Sequence, residues 1–346
     1  MRTQQTKTLI HVPEAPPIPG LIFRHYMGAS DLEAIVALNN QVYEADQTGE
    51  VETVEQLAHH FKHLKNCDPF EDILLAEIEG QLAVYSRVWW VKEDDGTFVY
   101  CLIGNVHPVW RGVGLGTALL PYNEGRLREI ARQNNHLADA PAYFESWCGE
   151  TTPDSCALLD KNDYKPVRYF FDMSRPVDAI LPEASLPVGL EVRPFDESQN
   201  RTIWEAIDEA FRDHWGAVPG TEEDYQRFVN SPTRKTHLWQ VAWDGDQVAG
   251  MILNNYFPEE DKAFDRQRGW TDPICVRRPW RRRGLARALI ARSVMMFRDM
   301  GFDDTALGVD TENPNGALKL YKSMGYKIDK TWMAYRKPVN MESVQL

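Results

Sequence analysis

HPVWRGVGLGTALL at residues 107–120 and RRPWRRRGLARALI at residues 277–290 state one short pattern twice. Both read Trp-Arg-x-x-Gly-Leu-Gly/Ala and run on into an apolar, helix-like stretch. Arg111 and Arg281 lie 170 positions apart. The flanking text keeps that offset to within a residue: GLIFRHYMGASDLEAIVAL begins at Gly20 and GLEVRPFDESQNRTIWEAI at Gly189. ILLAEIEGQLAVYSRV (73–88) has a counterpart in LWQVAWDGDQVAGMIL (238–253). Each is a pair of apolar runs about a Gly-containing turn, a β-hairpin signal. A repeat this long is a duplicated domain, not a solenoid.

Each copy follows one order: strand, one or two helices, hairpin, strand, Gly-containing turn, long helix, strand, short helix, strand. In the second copy, strands are expected near 190–195, 237–244, 247–257, 269–277 and 304–311, with a last one from Tyr326. The long helix begins near Gly284 and stops at Gly301, since glycine readily takes the left-handed conformation that ends helices. A short helix is expected over 315–324. Strands interleaved with helices in this way make an α/β sheet domain. The expected division is a flexible, Pro-rich lead-in (1–19), a first domain (20–175), a linker (176–188) and a second domain (189–340).

The chain has 346 residues, 43% hydrophobic and 26% charged, which is ordinary globular material and enough for two cores. No run reaches the roughly 18 apolar residues of a membrane span, and the N-terminus lacks the apolar segment of a secretory signal. A cytoplasmic protein is expected. The five cysteines are odd in number and contain no CxxC, which fits reduced thiols better than a disulfide framework. A formal net charge of −13 argues against general affinity for nucleic acid or anionic membranes. The six arginines between Arg277 and Arg287 are therefore a local feature. A nucleic-acid reading of them leaves the twin pattern unexplained, because HPVWRGVGLGTALL has one arginine.

A turn of this composition, between strand and helix, is an anion cradle. The first turn of a helix has unsatisfied N–H groups and a positive dipole end. Small residues let a diphosphate approach the backbone, and nearby arginines can add charge-assisted bonds. The segments concerned are Arg111, Gly112, Val113, Gly114, Leu115 and Gly116 in the first copy. In the second they are Arg281, Arg282, Arg283, Gly284, Leu285, Ala286 and Arg287.

On these residues the chain resembles the GNAT superfamily of acyl-coenzyme A-dependent N-acyltransferases, in which Arg/Gln-x-x-Gly-x-Gly/Ala binds the coenzyme A pyrophosphate. The resemblance covers both copies, and the layout is similar to that of mycothiol synthase and related tandem acyltransferases. It implies two tandem GNAT-like domains, each a mixed, mostly antiparallel sheet flanked by helices. It implies acetyl-CoA or another acyl-CoA as co-substrate, no metal, and direct transfer of the acyl group to an amine.

The resemblance also assigns DTENPNGALKLYKSMGY (310–326), placing Asn313 near the pantetheine arm and Tyr321 at the sulfur. A phenol there can protonate the departing thiolate, whose pKa is about 8.5. The oxyanion donor would come from the backbone near Cys275 and Val276. Asp272 is the candidate general base, with a solvent-facing strand carboxylate as the competing reading and Asp310 and Glu312 in reserve. In the first copy ETTPDSCALLDKNDY (150–164) puts Leu159, or Asp160 with one gap, at the position of Tyr321. That copy is expected to have lost acyl transfer.

His214 and Trp215 are candidates for the acceptor pocket, while Glu222, Glu223 and Asp224 read best as a helix start capped by Thr221. His59, His63 and Cys67 share a helical face with zinc-type spacing but lack a completing ligand. The expected activity is an acetyl-CoA-dependent N-acetyltransferase working in the second domain on a small-molecule or peptide amine. The alternative is a non-catalytic acyl-CoA sensor. Neither nucleic acid nor membrane is expected as a partner, and monomer and homodimer both stay open.

Overall fold

The computed structural model describes residues 8–136 and 140–340. The chain forms two compact units, one made of residues through Val167 together with those from Ala334 on, the other of Arg168–Met333. Where 20–175 and 189–340 are expected from the sequence, the unit boundaries fall inside the strands Lys165–Pro176 and Lys327–Pro338, the last strand of each copy.

The first unit opens with β1 (Leu9–Ile10), β2 (Leu21–His25), α1 (Leu32–Ala45), α2 (Val54–Lys62) and a single turn, α3 (Pro69–Asp72). It continues with β3 (Ile73–Ile78), β4 (Gln81–Lys92), β5 (Phe98–Val106), α4 (Leu115–Gln133), β6 (Ala142–Gly149) and α5 (Pro153–Lys161). Its strands lie in sequence order from β1 to β6. The expected flexible lead-in is corrected for its described part: β1 pairs with β2, and Val12 is buried against Phe23 and Leu115. The rest, residues 1–7, lies outside the described residues. Alternating apolar positions on β3 and β4 bury one face under α1 and α2 and the other under α4.

β7 (Lys165–Pro176) leads into the second unit, which holds β8 (Glu191–Arg193), α6 (Asn200–Phe211), α7 (Glu222–Val229), β9 (Gln240–Asp244) and β10 (Gln247–Ile252). Then come α8 (Pro258–Ala263), β11 (Arg268–Trp270), β12 (Ile274–Val276), α9 (Leu285–Asp299), β13 (Asp304–Asp310), α10 (Ala317–Ser323) and β14 (Lys327–Pro338). Residues 174–176, at the start of the sequence-read linker stretch, complete β7, which pairs antiparallel with β13 from Asp304↔Pro176 to Asp310↔Phe170. The core gathers Leu285, Leu289, Val294 and Phe297 of α9 against Leu307 and Val309 of β13 and Tyr321 of α10.

The strand expected at 269–277 is two strands. β12 pairs antiparallel with β10, and β11 pairs parallel with β13. The chain changes partner at Thr271–Pro273, so a wedge opens between β12 and β13 beyond the Thr271 N–H to Ala306 C=O bond. The first unit has the same opening: β5 and β6 pair only over Phe98–Cys101. In both units the Trp-Arg-x-x-Gly turn follows the strand that borders the wedge.

Another expectation fails at the cysteines. Cys148, ending β6, and Cys156, in α5, have Cα atoms 5.8 Å apart and are disulfide-bonded, while Cys67, Cys101 and Cys275 are free thiols. The turn between β6 and α5 folds back on itself, which a spacing-based reading does not register. No helix among the described residues is long and apolar enough to cross a membrane.

Candidate active site

The two turns match in backbone conformation. Gly114 and Gly284 cap their helices in the left-handed region at φ 97° and 88°, and Gly112 (φ 75°) is matched by Arg282 (φ 62°). The first helical bonds run from Ala118 to Gly114 and from Ala288 to Gly284. The amides from Arg282 to Arg287 therefore have no acceptor among the described residues, as expected at a helix N-terminus facing an anion. A Cβ built on Gly284 would meet nothing within 4 Å, so the space over the second turn is open. In the first unit Pro16 lies 3.7 Å from such a Cβ on Gly114, and Leu158 lies 3.2 Å from one on Gly116.

The arginines divide into two groups. Arg281 donates to the Val276 carbonyl at 2.9 Å and pairs with Asp213, just past α6, at 2.7 Å. Arg111 does the same with the Val106 carbonyl (3.1 Å) and with Asp46, the C-cap of α1. The motif arginine thus ties its turn to the first helix of its own unit, and its charge is taken up inside the protein. Arg278 also pairs with Asp213, Arg277 with Glu209, and Arg287 bonds the Ser323 hydroxyl. Among the described residues only Arg282 and Arg283 of the six are exposed without a partner, and both lie in the segment with open amides. Asp46 and Asp213 were missed in the sequence, although both close the first helix of a repeat.

The ladder fixes which backbone groups line the wedge. The Arg277 N–H donates to Ala249 and the Leu253 N–H to Pro273, so residues 273, 275 and 277 face β10. By the alternation of an antiparallel pair, Ile274 and Val276 point their polar groups the other way, toward β13. The Val276 carbonyl is taken by Arg281, which leaves its N–H available. The Cys275 N–H is used in the ladder, and burial pushes its thiol up to about 12.

Asp272 sits where the strands part. Its side chain is exposed to solvent at the mouth of the wedge, while the protein packed around it, followed by the nearby Asp172 charge, pushes its pKa up to about 6. A hydrogen bond from the Gly308 N–H of β13 opposes that rise. Asp172 is the register partner of Gly308 on β7, so both carboxylates converge on one glycine. The Trp332 indole N–H holds Asp172 at 2.7 Å, and burial also raises its pKa. Tyr321 is 7% exposed, within electrostatic reach of Asp272 and Cys275, and burial keeps its phenol protonated. Its counterpart region in the first unit holds Leu159, buried at 4%, while Tyr164 there bonds Glu124.

The reserve carboxylates are occupied: Asp310 receives a bidentate Arg168 (2.8 Å), which also reaches Glu312. Trp215 lies against Phe170 (6.2 Å) and Arg168 (5.8 Å), and the His214 ring packs on Phe211. Burial lowers the His214 pKa while Asp310 partly restores it. Strand alternation puts Gly308 and Asp310, with partners Asp172 and Phe170, on one face, so this group lies about 7 Å along β13 from Gly308. Asn313 accepts from the Asn315 N–H and shapes the turn before α10, and Asn315 in turn bonds Arg281. Thr221 caps α7 with Asp224 as read from sequence. The His59 and His63 rings lie tilted with centroids 4.8 Å apart, and burial raises Cys67 to about 12, a poor state for a metal thiolate.

Residues 201–326 match the model of the Acetyltransferase (GNAT) family. The chain is 25% identical over 295 residues to the mycothiol acetyltransferase of Salinispora tropica, covering 80% of this chain and 90% of that protein. It is 32% identical over 237 residues to the mycothiol acetyltransferase of Frankia alni, covering 66% and 68%. Among solved structures, a GCN5-related N-acetyltransferase from Sphaerobacter thermophilus superposes with a TM-score of 0.68 at 26% identity, over 93% of this chain and 96% of that one. Both wedges, both Gly turns and these relatives agree: the chain belongs to the acetyltransferase (GNAT) family, as a two-unit N-acetyltransferase that draws on an acyl-coenzyme A.

Proposed function

We propose that the second unit transfers an acetyl group from acetyl-CoA directly to a small-molecule amine, while the first unit does no acyl transfer. The observation that carries this reading is the convergence of Asp272, Tyr321 and the free Val276 N–H beside an open turn. The amides from Arg282 to Arg287 fit a diphosphate, with Arg282 and Arg283 adding charge. Acetyl-CoA supplies an acyl group activated as a thioester. Asp272 takes the proton of the attacking amine, and the Val276 N–H donates to the carbonyl oxygen as negative charge builds on it. Tyr321, held protonated by burial, donates its proton to the leaving sulfur.

The first unit has Leu159 in place of the phenol and Pro16 and Leu158 over its turn, which supports a non-catalytic role. His214, Trp215 and Phe170 form the wall toward which the acceptor would extend. The mycothiol acetyltransferases among its relatives make a mycothiol-type amine the first acceptor to test. Formation of N-acetyl product from acetyl-CoA over a panel of amines, including amino sugars, cysteinyl amines and short peptides, tests the reading. Acetyl-CoA binding without product for any amine would favour the non-catalytic sensor instead.

A further inference from the structure

The first unit contains a polar cluster that acetyl transfer does not use. Tyr85, Arg87 and Trp89 alternate on β4 and share one face, and Asn105 on β5 lies directly opposite Tyr85. α1 brings Asn39 and Tyr43 to this face, the segment before α2 brings Glu52, and α2 brings His60.

Two opposite charges are held here without meeting. Glu52 is pinned: its Oε2 accepts from Asn39 (2.8 Å), whose own Oδ1 accepts from Asn105 (2.9 Å). Its backbone is clamped from both sides by Asn40 at 2.8 and 2.9 Å. Arg87 is pinned by His60 and by the Trp89 ring, 4.6 Å from the guanidinium carbon. Arg87 makes no ion pair with any carboxylate among the described residues, and its Nε is buried without a hydrogen-bond partner. The Glu52 Oε1 also accepts nothing among them. Both groups act electrostatically on Tyr43, and Arg87 acts on Glu52, so they lie near one another, but they stand beyond ion-pair distance.

A half-buried guanidinium without an anion costs free energy, and Arg87 differs in this from Arg24, Arg111, Arg126 and Arg336 of the same unit, each paired with carboxylates. A carboxylate and a guanidinium held apart on a preorganised frame are complementary to a molecule carrying an amine at one end and a carboxylate at the other. The aromatic rings of Tyr43, Tyr85 and Trp89 supply the apolar wall that such sites have.

We propose that the first unit binds a small zwitterion of the amino-acid class, its carboxylate on Arg87 and its ammonium on Glu52. The inference is independent of where acetyl transfer occurs. Isothermal titration of the full chain with each standard free L-amino acid tests it. At least one is expected to bind with one site per chain at millimolar affinity or tighter. Arg87→Gln and Glu52→Gln, each checked for folding by circular dichroism, should each weaken that binding at least tenfold, whereas Asp272→Asn and Tyr321→Phe should leave it unchanged. Analogues of the bound amino acid lacking the amine or the carboxylate should bind at least tenfold more weakly. Absence of binding across the panel overturns the proposal. So does binding that survives both substitutions, or binding that is lost instead in Asp272→Asn.

Discussion

The pKa of Asp272 sets a measurable pH dependence. A carboxylate titrating at about 6 is roughly 91% ionised at pH 7 and about 9% at pH 5, whereas an ordinary aspartate is still about 93% ionised at pH 5. Only the ionised form accepts a proton, so activity is present above the pKa and falls about tenfold between pH 7 and pH 5. The effect on stability has the opposite sign. The folded state holds this proton more tightly than the unfolded chain, so Asp272 weighs against folding above pH 6, and that cost is relieved as pH falls from 6 toward 4. Measuring kcat at saturating amine separates the enzyme group from titration of the free amine. The rate is read as N-acetyl product by chromatography, which does not depend on thiol reagents. Asp172→Asn removes the neighbouring charge that helps raise Asp272, so its acid limb should move to lower pH while the plateau rate stays close to wild type. Asp272→Asn should lose about 10²–10⁴ in kcat and show no acid limb near pH 6. A kcat flat from pH 5 to 8 in the wild type, or an unchanged limb in Asp272→Asn, refutes the base assignment.

Other consequences follow from the turn and its supports. Gly284→Val places a branched side chain at φ 88° over the free amides and should raise KM for acetyl-CoA at least tenfold, while Gly114→Val should leave that KM unchanged. Asp213→Ala releases Arg281 and Arg278 together, so steady-state kinetics should show a severalfold rise in the same KM. Its cost in stability, read by urea denaturation, should be about 1 kcal/mol, as for a partly exposed ion pair. Gly269→Ala puts a methyl 2.5 Å from the fully buried Phe297 ring and should cost about 1–3 kcal/mol, read by thermal melting.

The duplication and the order of elements were legible because a repeat supplies its own control. Each feature of the arginine-rich turn could be weighed against a copy with a single arginine, and the shared conformation at Gly284 and Gly114 is what that comparison singled out. The partner switch at Thr271–Pro273 was not legible, since β11 and β12 read as one apolar run. The convergence of Asp172 on Asp272 was hidden for a related reason: it depends on the register of β7 against β13, which sets Asp172 opposite Gly308, far along the sequence. The arginines misled in proportion to their number. Four of them find partners on α6, the loop after it or α10, and only the fold shows that Arg282 and Arg283 are exposed without a partner among the described residues. Leu159 was aligned with Tyr321 by counting back from the tyrosine that follows each short helix, and in both units that tyrosine's N–H, of Tyr164 or Tyr326, donates to the carbonyl five residues before it.

The most direct test of the central claim is the single-turnover rate of acetyl transfer by Tyr321→Phe with acetyl-CoA bound. The substitution keeps the buried ring and removes only the hydroxyl, so folding and the acetyl-CoA Kd should hold. The account predicts a rate lower by about 10²–10³, the share of a general acid, with no comparable loss in a Tyr164→Phe control. An unchanged single-turnover rate in Tyr321→Phe contradicts the assignment of chemistry to the second unit.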